Sequence, residues 1–107
     1  MLPNMNKMLK QAKDMQDKMS KIKEELGNME IEGKSGGGMV KAVVNGNKDM
    51  ISIEIKDEVL TEEKDFIEDL IVSAVNQALQ NASEESEKKM SSVTGGMLGN
   101  MKIPGLS

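Results

Sequence analysis

Apolar residues recur along the first quarter of the chain at alternating steps of three and four: Met5, Met8, Ala12, Met15, Met19, Ile22 and Leu26. This is a heptad a/d seam, and it predicts a helix over residues 4–26 that is apolar along one narrow stripe. Pro3 suits the first turn. Asp14 to Lys18 and Asp17 to Lys21 are acid-to-base steps of four in the favourable direction. Gly27-Asn28 is a usual helix end. From Met29 the period changes to two. Met29–Lys34 reads as a short strand, Ser35-Gly36-Gly37-Gly38 as a break and Met39–Val44 as a second strand with Val40, Ala42 and Val44 on one face. Asn45-Gly46 opens a hairpin turn that runs to Asp49. Met50–Ile55 is a third strand, with Ile51, Ile53 and Ile55 pointing one way. The three make an antiparallel meander.

The helical period returns after Thr61, a good N-cap followed by Glu62, Glu63 and Asp65 at the positive end of the helix dipole. Phe66, Ile67, Leu70, Ile71, Ala74, Val75, Ala78, Leu79 and Ala82 form a wide stripe, suited to a helix lying on a sheet. The pattern thins through Ser83–Lys89, a second solvated arm. Met90 and Val93 resume a weak trace before Gly95-Gly96. The sequence thus predicts an α+β fold in the order helix, three-stranded antiparallel sheet, helix. One domain spans residues 1–94, and a flexible Gly-, Met- and Pro-rich tail spans 95–107.

Composition narrows the function. The chain has 107 residues, and Phe66 is its only aromatic. The core therefore rests on Met, Ile, Leu and Val, and a domain this small gains from dimerisation. No stretch approaches the length of a membrane span, and no signal-peptide pattern opens the chain, which reads as cytosolic. Cysteine and histidine are absent. That removes disulfides, thiol nucleophiles, the usual general base and transition-metal ligands, so no cofactor or catalytic constellation is expected. Gly33-Lys34-Ser35 imitates the end of a phosphate-binding loop, but the required earlier glycine is displaced by one residue and Glu30 and Glu32 would repel phosphate.

The net charge of -4 conceals a polarity. Residues 1–23 carry six lysines against two aspartates, a net +4, whereas residues 57–87 carry ten acids against one lysine, a net -9. All fourteen basic residues are lysine. Lysine offers a point charge where arginine offers a fork for guanine edges, so any DNA contact should be sequence-tolerant. Lys7, Lys10, Lys13 and Lys21 fall away from the seam. Two readings of them stand: a soluble face, and contact with phosphates. Lys7, Lys10 and Lys13 precede any acid, and a positive tip on an acidic body can orient the protein on a polyanion. The eleven methionines also have two readings, as core filler and as an adaptable binding surface.

These residues suggest a family. Lys7–Gln16, Glu32–Lys41 (with Gly33-Lys34-Ser35-Gly36-Gly37-Gly38-Met39-Val40), Val44-Asn45-Gly46, Ile53-Glu54-Ile55, Glu68–Ala78 and Met90–Met97 together resemble the YbaB/EbfC family of small bacterial nucleoid-associated proteins. The resemblance covers nearly the whole chain, and the Gly-rich core is its most specific part. It implies a tweezer-like homodimer with sheets joined at the centre and helical arms projecting from it. It also implies DNA binding through the arms, effects on nucleoid organisation and gene expression, and a cytoplasmic, nucleoid-associated location. By position the DNA contacts would be Lys7, Lys10 and Lys13 on the first helix and Lys88 and Lys89 on the second. Relatives often carry arginine in the second helix, where this chain reads Asn76-Gln77-Ala78-Leu79-Gln80-Asn81-Ala82-Ser83-Glu84-Glu85. That change implies weaker, strongly salt-dependent binding to double-stranded DNA. Gly36, Gly37, Gly38, Met39 and Val40 are the candidate dimer interface, since glycines let another backbone approach closely. The rival reading is an interaction module for replication or repair proteins, docked through the seam, the acidic helix and the tail.

Overall fold

A computed structural model describes the backbone of residues 3–98 and the side chains of residues 5–92. Helix α1 (Pro3–Gly27) is followed by β1 (Ile31–Ser35), a 3-10 turn (Gly36–Gly38), β2 (Val40–Val44), β3 (Met50–Ile55), a second 3-10 turn (Asp57–Thr61) and helix α2 (Lys64–Leu98). The strands form one antiparallel sheet in the order β1-β2-β3, as the alternating pattern predicts. The molecule is elongated, with extents of 74 × 30 × 16 Å. Helices of 25 and 35 residues account for this, spanning roughly 37 and 52 Å at 1.5 Å per residue.

The core lies between α2 and the first two strands. Ile31, Val40, Ala42, Val44, Ala74, Ala78 and Ala82 are buried together, flanked by half-buried Ile55, Leu70, Ile71, Val75 and Leu79. Three alanines one turn apart let α2 lie close to β1, and Gly33 completes the fit. A Cβ there would collide with the backbone of Ala74 and Ala78. Two polar bonds fix the helix on β1: Ser35 Oγ donates to the Leu70 carbonyl at 2.6 Å, and Asn81 Nδ2 donates to the Glu32 carbonyl at 2.9 Å. Among the charged residues of the sheet, Lys41 of β2 reaches Glu54 of β3 at 3.0 Å and Glu32 of β1 at 3.8 Å.

Several sequence expectations shift. Thr61 does not cap α2. Its hydroxyl donates back to the Glu58 carbonyl at 3.0 Å, closing a 3-10 turn, and the helix begins at Lys64. The isoleucines of β3 are interrupted by a bulge, because Val43 pairs with Ser52 but Val44 pairs with Met50. Ile51 therefore has no partner on β2. Gly95-Gly96 does not end α2, which runs to Leu98; Met101 and the rest of the expected tail lie outside the described residues. Gly33-Lys34-Ser35 ends a strand and leads into a 3-10 turn rather than a helix, so the phosphate-loop geometry is absent there.

Candidate nucleic-acid interface

The seam is only partly used within the chain. Ile22 and Leu26 are 8% and 5% exposed, whereas Met5 and Met8 are 54% and 65% exposed. α1 is thus anchored by its last two turns, and its first half projects as an arm. Leu9 joins Met5 and Met8 as an open apolar side chain there.

Lys7, Lys10 and Lys13 are all exposed on this arm. Lys18 and Lys21 follow Lys7 and Lys10 by eleven residues, about three helical turns, and so share their side of the helix. All five lie off the seam and cover about 20 Å of helix. Among the described residues none of the five closes an ion pair, not even the expected Asp14–Lys18 and Asp17–Lys21. The sequence alone singles out Lys7, Lys10 and Lys13 for DNA and leaves Lys21 between a soluble face and phosphate contact, but does not single out Lys18. The eleven-residue offset of Lys18 from Lys7 is the signal that finds it.

Lys88 and Lys89 stand differently. Lys88 Nζ lies 3.6 Å from Glu85 on its own helix, and Lys89 Nζ lies 3.3 Å from Glu25 on α1. Each thus has a carboxylate neighbour, which the lysines of the arm lack among the described residues. A cleft of about 370 Å³ opens where the two helices approach, lined by Met19, Ile22 and Leu26 of α1, Asn47 of the hairpin, and Ser86 and Met90 of α2.

The glycine turn has φ of 59° at Gly36, 68° at Gly37 and 94° at Gly38, three successive left-handed residues that only glycine adopts readily. Gly36 and Gly37 are exposed and Gly38 and Met39 half-buried, but Val40 is fully buried under α2 within the protomer. The Met39 carbonyl accepts from Lys56 N at 2.9 Å, which sets this turn beside the end of β3. β3 is an edge strand that α2 leaves uncovered, with Ile51 and Ile53 49% and 40% exposed and Met50 open beside them. Among the described residues no cluster of acidic side chains is arranged to hold a metal, and no helix is long and apolar enough to cross a membrane.

Comparison with known proteins adds to this geometry. The model of the YbaB/EbfC DNA-binding family matches residues 1–97. A nucleoid-associated protein of Caldanaerobacter subterraneus subsp. tengcongensis is 49% identical over 104 residues, 96% of this chain and 90% of the relative. A nucleoid-associated protein of Pelotomaculum thermopropionicum is 46% identical over 104 residues, covering 96% and 95%. Among solved structures, an uncharacterized protein from Helicobacter pylori superposes with a TM-score of 0.67 at 26% identity, over 86% of this chain and 94% of that one.

Proposed function

The chain belongs to the YbaB/EbfC DNA-binding family, and on that premise we propose a nucleoid-associated protein that grips duplex DNA through the lysine face of α1. That family is one of DNA-binding proteins, not of enzymes, in keeping with an inventory that lacks histidine and cysteine. The observation that carries the reading is the unpaired face of Lys7, Lys10, Lys13, Lys18 and Lys21 on a projecting arm. Such a face meets phosphates without competition from neighbouring carboxylates, and point charges on a helix carry little base readout. Lys88 and Lys89 contribute less in this reading, because Glu85 and Glu25 lie beside them and compete with phosphate for their charge.

The working unit in this reading is a homodimer with the arms projecting from a shared centre. The open edge of β3 supports it: Met50, Ile51 and Ile53 are apolar, exposed and bordered by unpaired backbone groups. Natural proteins seldom leave such an edge bare. The turn Gly36–Met39 lies beside the end of β3, where the Met39 carbonyl accepts from Lys56 N. A nucleoid location and effects on gene expression follow from this reading.

One observation favours a second reading. Met5, Met8 and Leu9 are apolar side chains open to solvent along the arm, a surface that also suits a protein partner, such as a component of replication or repair.

Fluorescence anisotropy with two unrelated duplexes across a salt series tests the first reading. Similar affinities for both, falling steeply and linearly with log salt, are expected. Absence of binding to either duplex at low salt contradicts it and leaves the protein-partner reading.

A further inference from the structure

The C-terminal end of a helix presents backbone carbonyls with no partner of their own inside the helix. Near the end of α1 two carbonyls, the terminal one of Leu26 and that of Lys23 one turn earlier, accept from a distant part of the chain. Gly46 N donates to the Leu26 carbonyl at 2.7 Å, and Asn47 Nδ2 donates to the Lys23 carbonyl at 3.0 Å. Both donors sit in the turn between β2 and β3.

That turn is internally braced. Asn45 Oδ1 accepts from Asn47 N at 2.8 Å and from Asp49 N at 3.0 Å. Asn45 N donates to the Asp49 carbonyl at 2.9 Å, and Lys48 N donates to the Asn45 carbonyl at 3.0 Å. Lys48 has a φ of 70°, the one described non-glycine residue in the left-handed region. The fit against α1 is close. A Cβ on Gly46 would lie 2.7 Å from Leu26 Cδ2 and 2.9 Å from the Leu26 carbonyl oxygen.

We propose that the β2–β3 turn aims the basic arm, and that Asn47 is a positioning residue for DNA binding. A helix held at one end is a lever. Lys7 lies sixteen residues from Lys23, about 24 Å along the axis, so a tilt of about 10° at the base displaces it by about 4 Å. That displacement is comparable to the spacing of charges along a duplex, so a loosely aimed arm holds fewer phosphates at once. The hydrogen bond from Asn47 fixes the tilt because it is made one turn before the helix end, whereas the Gly46 bond fixes only the end itself. The effect on DNA rests on the arm being the DNA-binding element; the effect on arm direction does not.

The cysteine-free sequence permits a direct test. Spin labels are attached at Leu9→Cys and Ser52→Cys, with labelled protein diluted into unlabelled protein, and the distance distribution is read by pulsed electron paramagnetic resonance. Asn47→Ala and the near-isosteric Asn47→Asp both remove the donor. Each is expected to broaden the distribution, to weaken duplex binding by roughly three- to tenfold at low salt and to flatten the salt dependence, since fewer phosphates are engaged. The thermal midpoint should fall by only about 5 °C or less, as for a single exposed hydrogen bond. A distribution as narrow as wild type in both variants overturns the proposal. A broadened distribution with unchanged DNA affinity upholds the aiming role and overturns the arm as the DNA-binding element.

Discussion

Lys89 on α2 and Glu25 on α1 meet at 3.3 Å across 64 residues of sequence. The ion pair joins the two helices near the base of the arm and occupies a lysine that the family resemblance would place among the DNA contacts. Both partners are more than a third exposed, so the pair adds well under about 1 kcal/mol to stability. Its larger consequence is electrostatic. Lys89→Gln should change DNA affinity less than Lys10→Gln does. Glu25→Gln, by freeing Lys89 and removing an acid, should raise affinity about twofold at low salt. Parallel binding titrations of the three variants check this; an equal weakening by Lys89→Gln and Lys10→Gln contradicts it.

The seat of α2 on the sheet predicts a sharp sensitivity at Gly33. A Cβ there meets the backbone of Ala74 and Ala78, which cannot rotate away as a side chain could. Gly33→Ala should cost about 3 kcal/mol and lower the thermal midpoint by more than about 10 °C. Gly37→Ala meets no atom within 4 Å and carries only the strain of its φ of 68°, a penalty of about 1 kcal/mol. Thermal denaturation of the two variants separates these costs, and comparable midpoints would refute the close-approach account.

Much of this fold is legible in the sequence because the periods are clean. The seam of α1, the alternation in β2 and the wide stripe of α2 each name their element. The last two also name its buried face, whereas only Ile22 and Leu26 of the seam are buried within the chain. What escapes are interactions between elements. Nothing local marks Thr61 as the closer of a 3-10 turn rather than a cap, because a threonine hydroxyl can bond backward or forward. The extra residue at Ile51 is invisible to a count of alternation, since a bulge leaves the apolar letters unchanged. Charge alone finds the candidate lysines. Whether each is unpaired depends on acids far along the chain, and Glu25 gives no local sign that it reaches Lys89.

The sheet carries a pH-dependent brace. The hydrogen bond to Glu54, aided by the nearby charges of Glu32 and Glu54, holds Lys41 above its ordinary value of 10.5. A group raised on folding stabilises the fold while it is protonated in both states. The contribution is therefore complete below pH 10.5 and is lost as pH rises through the higher folded value. Glu54→Gln should lower stability at neutral pH and make little difference at strongly alkaline pH. Chemical denaturation across that range checks the sign; a gap that widens with rising pH contradicts it.

The apolar edge of β3 predicts the assembly state. Ile53→Lys places a charge on the open face of the edge strand without disturbing the buried core, as Ile53 is 40% exposed. Sedimentation should show wild type as a dimer and the variant shifted to monomer at micromolar concentration. A variant dimer as tight as wild type moves the interface elsewhere.

The lysine face of α1 is the central claim, and the salt dependence of DNA binding by the Lys7→Gln, Lys10→Gln, Lys13→Gln triple variant tests it most directly. Each phosphate that is no longer neutralised takes about 0.9 from the slope of log affinity against log salt. The triple variant should therefore bind every duplex more weakly, with a slope flatter by about two to three per arm engaged. Wild-type affinity and slope in that variant would contradict the account.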